Sequence, residues 1–244
     1  MPKVPVTLPP MALAHHAVTR LADLTRDANG LWLRAIDGTN AGWPAHVGDI
    51  TAEPKAIEPG FSRFAPYRGR MALHLTAGAN GGFEAPSAAP DPGLWSAAII
   101  WTSGAEEARS LLTVRGGGDA NYVFLAETED RQIVFRDDAE RAVAALPPAG
   151  GGWQVSILSC AAGRLSLARP DGAEAEAAGV TDLATDGRLL IGCRNHRPGM
   201  KKTLGSAIIS EVLFWPGLDI LSRRPAPLAI ALRDALDTFI LWEL

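Results

Sequence analysis

The chain has 244 residues, of which 47% are hydrophobic and 20% are charged. This balance is that of a globular protein with an apolar core, so it excludes a disordered chain. The 23 basic and 27 acidic residues give a formal net charge of −4. Because nucleic-acid-binding proteins carry a basic surplus, this charge disfavours a nucleic-acid partner. We also expect no membrane insertion, because no window approaches the roughly 18 apolar residues that a spanning helix needs.

The first part of the chain is rich in proline and glycine. Residues 1–20 contain four prolines, and because proline fixes φ and lacks a backbone donor, we predict a non-helical arm or a lead-in strand. Residues 31–36 predict a short strand. The glycines and prolines of residues 37–66 predict a loop-rich stretch that wraps on a core, since its aromatic side chains are costly to expose to water.

The composition changes along the chain in a way that predicts two parts. Residues 1–44 form the proline- and glycine-rich arm with lead-in strands, and residues 45–244 form the main domain. The N-terminal residues lack the long apolar stretch of a signal peptide, so we expect the chain to be made in the cytoplasm.

Short strands separated by turn residues dominate the chain after residue 69. Alternating or β-branched and aromatic residues predict each strand, and glycine- or aspartate-rich segments separate them. Such a series is typical of an all-β sandwich. The predicted strands are residues 71–76, 95–102, 110–114, 122–126, 132–136, 153–160, 164–169, 188–193 and 206–215.

The last segment has a helical pattern. Apolar residues between Leu228 and Ile240 recur at intervals of three and four, after prolines at positions 225 and 227. Proline near the first turn suits a helix start, so we predict a C-terminal helix that packs against the sandwich. The apolar residues 239–244 must then pack on the domain or on a partner.

Cys160 and Cys193 are the two cysteines of the chain. Both lie in apolar strands, where a free thiol packs as a small hydrophobic group, and burial is the favoured interpretation. A disulfide between them is the alternative.

The order of these elements resembles the concanavalin A-like lectin and glucanase superfamily, in its laminin-G-like form. An apolar strand, a glycine-rich turn and a short strand closing in proline begin the pattern, and a strand followed by a terminal helix ends it. The resemblance covers roughly residues 45–244. It rests on GRMALHLTAGANGGFEAP (69–86), WSAAIIW (95–101), GWQVSIL (152–158), RLSLARPDG (164–172), LLIG (189–192) and ISEVLFW (209–215).

The resemblance implies a jelly roll of two antiparallel sheets, commonly used to bind carbohydrate. With a C-terminal helix and an extended N-terminal arm, this is the predicted all-β fold. Similar domains occur in bacterial and phage proteins. We therefore expect a non-catalytic carbohydrate-binding module, used as a spike or fibre of a phage-like particle assembled in the cytoplasm. Its expected partners are cell-surface polysaccharide, other particle proteins contacted through the arm, and further copies of itself.

Two other functions remain open. The first is a purely structural assembly protein that uses the jelly roll and residues 239–244 for self-association. The second, which is less favoured, is a polysaccharide-cleaving enzyme. Glycoside hydrolysis needs two carboxylates that converge on one bond, and the Glu-x-Asp-x-x-Glu strand of the related glucanases is absent. Glu211 stands alone in its strand, and Glu127 and Glu129 lie where a solvated turn is expected.

The most distinctive polar segment is the loop of residues 194–202. Its side chains can donate hydrogen bonds to sugar hydroxyls, and arginine can bind a carboxylate of an acidic sugar with two parallel hydrogen bonds. A solvated basic loop is the alternative. Trp43, in a glycine-rich loop, is the candidate for an exposed ring that stacks on a sugar. The predicted carbohydrate-binding residues are Arg194, Asn195, His196, Arg197, Lys201, Lys202 and Trp43.

We predict no cofactor and no catalytic residue. Some members of the superfamily bind calcium, which requires several oxygen ligands from loops. Aspartates lie in many predicted turns here, but no EF-hand spacing is present, and no calcium ligand can be assigned to a position.

Overall fold

The computed structural model describes residues 10–55, 62–78, 81–117, 121–180, 183, 185–194 and 205–244. Within them the chain forms two α-helices and sixteen strands. The elements are α1 (Pro10–Asp27), β1 (Leu31–Arg34), β2 (Trp43–Pro44), β3 (Thr51–Pro54), β4 (Ser62–Tyr67), β5 (Arg70–Leu75), β6 (Phe83–Ala89), β7 (Trp95–Ser103), β8 (Leu112–Arg115), β9 (Tyr122–Glu127), β10 (Ile133–Asp137), β11 (Val143–Leu146), β12 (Gln154–Ala161), β13 (Arg164–Ala168), β14 (Glu174–Ala178), β15 (Gly187–Ile191), β16 (Ala207–Pro216) and α2 (Pro227–Glu243).

The strands form two eight-stranded antiparallel sheets. Sheet A has the order β14-β13-β12-β7-β16-β5-β4, and β1 pairs with β16 beside this path. Sheet B has the order β11-β10-β9-β8-β15-β6-β3-β2. The two sheets and the C-terminal helix confirm the predicted β-sandwich.

Large aromatic side chains fill the space between the sheets. Trp95, from sheet A, contacts Phe135 of sheet B, with ring centroids 5.7 Å apart, and Phe214 of sheet A at 5.4 Å. All three are fully buried. Each strand sends alternate side chains into this layer, so the core is made by both sheets together.

A second apolar layer lies on the outer face of sheet A. Trp32, Leu213 and Trp215 point outward from β1 and β16, and they pack with Leu232 and Phe239 of α2. Helix α1 contributes Leu21 to the same cluster and packs beside α2. The two helices therefore cover the face of sheet A that sheet B does not.

The N-terminal helix corrects the expectation of a non-helical arm for residues 10–27. Pro10 stands at the first helical position, where the missing N–H costs nothing, and no proline follows it within the helix. Ala17 and Leu21, one turn apart, are buried on the same face. Burial of this face, rather than intrinsic propensity alone, stabilises the helix.

The strands near residue 44 contribute to both sheets of the sandwich. β1 pairs with β16 in sheet A, and β2 pairs with β3 in sheet B. Strands before and after residue 44 thus belong to the same sandwich. Neither helix of the described residues combines the length and apolar character that a membrane crossing needs.

Both cysteines are buried and carry free thiols, as predicted. Cys160 packs in the core between the sheets, and Cys193 packs against Leu190. Burial raises the pKa of each thiol to about 12.

The contact between α2 and sheet A provides a test of the helical layer. Phe239 is fully buried and meets Trp32 edge-to-face at 5.3 Å between ring centroids. We expect Phe239→Ala to lower the free energy of unfolding by about 3–5 kcal/mol, measured by urea denaturation. In the matched control, Leu241→Ala, the side chain is 76% exposed, and the change should stay within about 0.5 kcal/mol. Equal effects of the two substitutions would contradict the packing described here.

Candidate functional site

The outer face of sheet B is the sheet surface that neither described helix covers. Along β8 and β9, Leu112, Val114, Val123 and Leu125 point into the core, so their neighbours point outward. Alternation in β6, β10 and β15 places further charged and aliphatic side chains on this face. We define the outer face of sheet B by Glu84, Thr113, Arg115, Tyr122, Phe124, Ala126, Val134, Arg136, Arg188 and Leu190.

Arg194 reaches this face and is held there by the protein itself. Its Cζ lies 3.6 Å from the centroid of the Phe124 ring. Its Nε donates a hydrogen bond to Ser110 Oγ at 2.9 Å, and a terminal nitrogen donates to the carbonyl of Arg109. Burial lowers the pKa of Arg194 to about 10. The guanidinium therefore links the segment that precedes β8 with strand β9.

The rest of the predicted basic loop lies outside the described residues. This applies to Asn195, His196, Arg197, Lys201 and Lys202. Of the predicted loop residues, the structure describes Arg194, which lies against Phe124 on the outer face of sheet B.

Trp43 is not an exposed platform, and the expectation of an exposed ring is wrong. The side chain is fully buried and contacts Phe64 and Phe83 edge-to-face, with centroids 5.3 and 5.9 Å apart. Its Nε1 donates to the carbonyl of Arg34 at 2.8 Å. The cause is the pairing of β2 with β3, which brings the glycine-rich segment into sheet B and turns the ring into the core.

A cavity of 440 Å³ opens beside Arg194 on this face. We call it the Arg136 pocket. Ala126 and Val134 form its apolar floor, and both are buried in a small cluster with Phe124. Its rim carries charged groups of both signs, among them Arg136 and the exposed Glu129. The Nε of Arg136 is buried without a hydrogen-bond partner.

Glu127 also lines this pocket, but it is buried, which corrects the expectation of a solvated residue there. Its carboxylate accepts hydrogen bonds from Ser103 Oγ at 2.7 Å, from the Ala108 backbone N–H at 3.0 Å and from Arg131 at 3.1 Å. β9 continues through Glu127, so the turn begins one residue later than expected. The exposure of Glu129 agrees with a solvated turn.

Glu211 does not stand alone in the structure. Trp32 Nε1 donates to its carboxylate at 2.8 Å, Arg70 at 2.9 Å and Arg34 at 3.4 Å. Burial raises the pKa of Glu211, while the two arginines oppose that shift. Arg70 also bonds the backbone carbonyl of Glu243 at 2.6 Å, so the network joins β1, β5, β16 and α2.

A small polar cavity of 260 Å³ adjoins this network, with Glu211 and Glu243 among its lining residues. Arg70 contacts both carboxylates, which assigns them a structural role. No local sequence pattern indicates this network, because its members are far apart in the chain. Among the described residues, no cluster of histidine, cysteine or acidic side chains has the geometry of a metal site.

Comparison with known proteins gives structural matches alone. No model of a known protein family matches the chain, and no curated protein matches it. A sialidase from Trypanosoma rangeli, in complex with a difluorinated sialic acid analogue, has a TM-score of 0.56 at 12% identity. The match covers 96% of this chain and 38% of the sialidase chain.

Two further matches are to domains solved with saccharides. Domain 4 of AbnA, an extracellular arabinanase from Geobacillus stearothermophilus, in complex with arabinotriose, has a TM-score of 0.52 at 12% identity, over 84% of this chain and 96% of the domain. The binding domain of botulinum neurotoxin DC, in complex with SialylT, has a TM-score of 0.55 at 11% identity, over 87% of this chain and 50% of that chain. The chain therefore has a lectin-like β-sandwich fold.

The contacts of Arg194 predict a structural cost for its removal. Arg194→Ala deletes two hydrogen bonds and uncovers the Phe124 ring, so the free energy of unfolding should fall by about 1–3 kcal/mol. The matched control is Arg223→Ala, because the Arg223 side chain is 82% exposed and pairs with Glu176 at the surface. That variant should change stability by less than about 0.5 kcal/mol in the same urea titration. A neutral Arg194→Ala variant would show that the guanidinium does not hold the segment before β8.

Proposed function

We propose that the chain is a non-catalytic carbohydrate-binding module, and that it binds its ligand on the outer face of sheet B. The observation that carries the proposal is the Arg136 pocket, where an apolar floor is surrounded by charged donors and acceptors. A sugar ring presents C–H groups on its faces and hydroxyl groups at its edge. The apolar floor can contact the C–H groups, and the guanidinium and carboxylate groups of the rim can form hydrogen bonds with the hydroxyl groups.

The structural matches support this class of ligand. Two of the matched domains were solved with saccharides. The match to the arabinanase domain covers 96% of that domain. Fold alone does not establish function, so the proposal rests on the pocket as well. In the sequence, residues 194–202 are rich in basic side chains, and this composition favours a ligand that includes an acidic sugar.

The likeness to a sialidase raises the enzymatic alternative. Most glycosidases place an acid and a second carboxylate on either side of the scissile bond, whereas sialidases use a tyrosine nucleophile. Tyr67 and Tyr122, the two tyrosines of the chain, each pack against an aromatic neighbour. In the described residues, the buried carboxylates of Glu127 and Glu211 are engaged by several donors each. We infer that they stabilise the fold, which favours binding without catalysis.

A self-association role is the second candidate function. The side chains of Leu241, Trp242 and Leu244 are 76, 40 and 47% exposed at the end of α2, and clustered apolar groups at a surface favour a protein contact. Phe239, in contrast, is buried within the domain. If this surface drives oligomer formation, the double variant Leu241→Ser, Trp242→Ser should be smaller in solution by light scattering, with an unchanged fold. An unchanged mass would remove this candidate.

The biological setting remains our proposal as well. We infer a spike or fibre of a phage-like particle that is assembled in the cytoplasm, contacts other particle proteins through the N-terminal residues and binds cell-surface polysaccharide. The resemblance of the strand pattern to domains of phage proteins supports it. Co-purification with capsid or tail proteins is the expected result, and absence from isolated particles would contradict it.

Binding at the Arg136 pocket can be tested by affinity electrophoresis. Wild-type protein should be retarded in gels that contain polygalacturonate, alginate or another surface polysaccharide. Arg136→Ala removes a charged donor from the rim and should weaken the retardation roughly tenfold or more, which is about 1.4 kcal/mol. Arg223→Ala serves as the control and should bind like the wild type. Unretarded migration of the wild type across acidic and neutral polysaccharides would contradict the proposed function.

A further inference from the structure

A second cavity lies on the outer face of sheet B, where the pairing of β6 with β15 is irregular. Gly187 pairs with Ala89, and Leu189 pairs with Ala85. The three residues 86–88 of β6 therefore face the single residue Arg188 of β15. Such bulges redirect side chains and occur often beside functional sites. The cavity beside this bulge measures 520 Å³, and we call it the bulge pocket.

The backbone around the bulge pocket is held in unusual conformations. Ser87 and Asp186 both line the pocket and have φ values of +60° and +67°. Residues other than glycine rarely adopt this region, and it is enriched at ligand sites. Gly187 between the strands has no room for a side chain, because a Cβ there would lie 2.3 Å from the carbonyl oxygen of Ala89. The tight contact fixes the shape of the pocket.

A buried carboxylate forms the floor of the bulge pocket. The side chain of Glu84 is 6% exposed, with Lys55 Nζ at 3.5 Å and an Arg188 nitrogen at 3.4 Å. The two cations compensate the charge that burial would otherwise penalise. Since the side chain of Arg188 is 62% exposed, its guanidinium can also donate hydrogen bonds toward the cavity.

The charges of the bulge pocket select the class of ligand. Glu53, Glu84 and Asp186 line it together with Lys55 and Arg188, so acidic groups outnumber basic ones. This balance disfavours an anion. Carboxylate acceptors beside a guanidinium donor match the hydroxyl groups of an uncharged sugar, and exposed proline rings at positions 86 and 90 offer apolar contact to its C–H groups.

We propose that the bulge pocket is a second saccharide site, which binds a neutral, hydroxyl-rich sugar ring through Glu84, Arg188 and Ser87. The inference rests on the proposed function for its ligand class, and it adds a site separate from the Arg136 pocket. In the strand order of sheet B, β8 lies between the two pockets, and three strand spacings from β9 to β6 amount to about 14 Å. One oligosaccharide that bridges this span would bind more tightly than either ring alone.

The test is a titration of the full chain with neutral trisaccharides, followed by two-dimensional amide NMR. The probes are arabinotriose, maltotriose and cellotriose, with sialyllactose as the acidic comparison. At least one neutral trisaccharide should shift the amide signals of Ser87, Asp186 and Arg188. Arg188→Ala should weaken this binding at least tenfold, whereas Arg223→Ala, at a side chain that is 82% exposed, should leave it unchanged. Sialyllactose should shift these signals at least tenfold less.

Each other outcome counts against a defined part of the proposal. Shifts confined to the Arg136 pocket would overturn the bulge site and leave the proposed function standing, while no shift with any saccharide would overturn both. Equal binding of sialyllactose at the bulge would overturn the neutral ligand class. If Arg188→Ala loses its folded spectrum, Ser87→Ala provides the same test, because the exposed Ser87 is one of the three residues proposed to bind the sugar. Unchanged binding by that variant would then overturn the site.

Discussion

The structure depends on one constraint, which is that sheet A is apolar on both faces. Eight of the nine residues of β7 are buried, as are eight of the ten residues of β16. Because buried apolar surface is the main favourable term in folding, both faces of these strands need a cover. Sheet B covers the inner face, and helices α1 and α2 cover the outer one. As a result, the sheet face that the two helices leave without a cover is the outer face of sheet B, where both candidate pockets lie.

The charged residues of that face divide into two groups with different roles. Glu127 is buried and Arg194 is half-buried, and both are hydrogen-bonded to neighbouring groups, so they fix the segments around the Arg136 pocket. Glu129 is exposed at the rim, and Arg136, whose side chain is 27% exposed and pairs with Glu140 at 2.6 Å, lies beside it. Rigid support behind an accessible rim reduces the entropy lost when a ligand binds. The same division holds at the bulge pocket, where buried Glu84 lies behind the more exposed Arg188.

Most of the sandwich could be predicted from the sequence, because period-two alternation and turn residues are local signals. All nine strands predicted between residues 71 and 215 have counterparts. Several strands were missed, and two of them show why: β14 is Glu-Ala-Glu-Ala-Ala at a sheet edge, and β4 contains Pro66. Both compositions have low strand propensity and are tolerated mainly at edges. Helix α1 was missed because the prolines before it dominated the interpretation of that segment.

The candidate site was less predictable, because it depends on which distant residues the fold brings together. The sequence indicated a basic loop after Arg194 but not that this arginine would be bound by Ser110 and Phe124. It placed Trp43 in a loop, although strand pairing buries the ring. The bulge pocket left no local signal, since it arises from a register shift between β6 and β15. The residues of the Glu211 network are also far apart in the sequence, so no local pattern indicates their contact.

The central claim is that a saccharide binds to the outer face of sheet B. Hydrogen–deuterium exchange of the full chain, with and without a retained polysaccharide, tests it most directly, since bound ligand slows amide opening where it contacts the fold. We expect added protection in β6, β9, β10 and β15, and no change in α1 or α2. Protection confined to the helices, with sheet B unaffected, would contradict it.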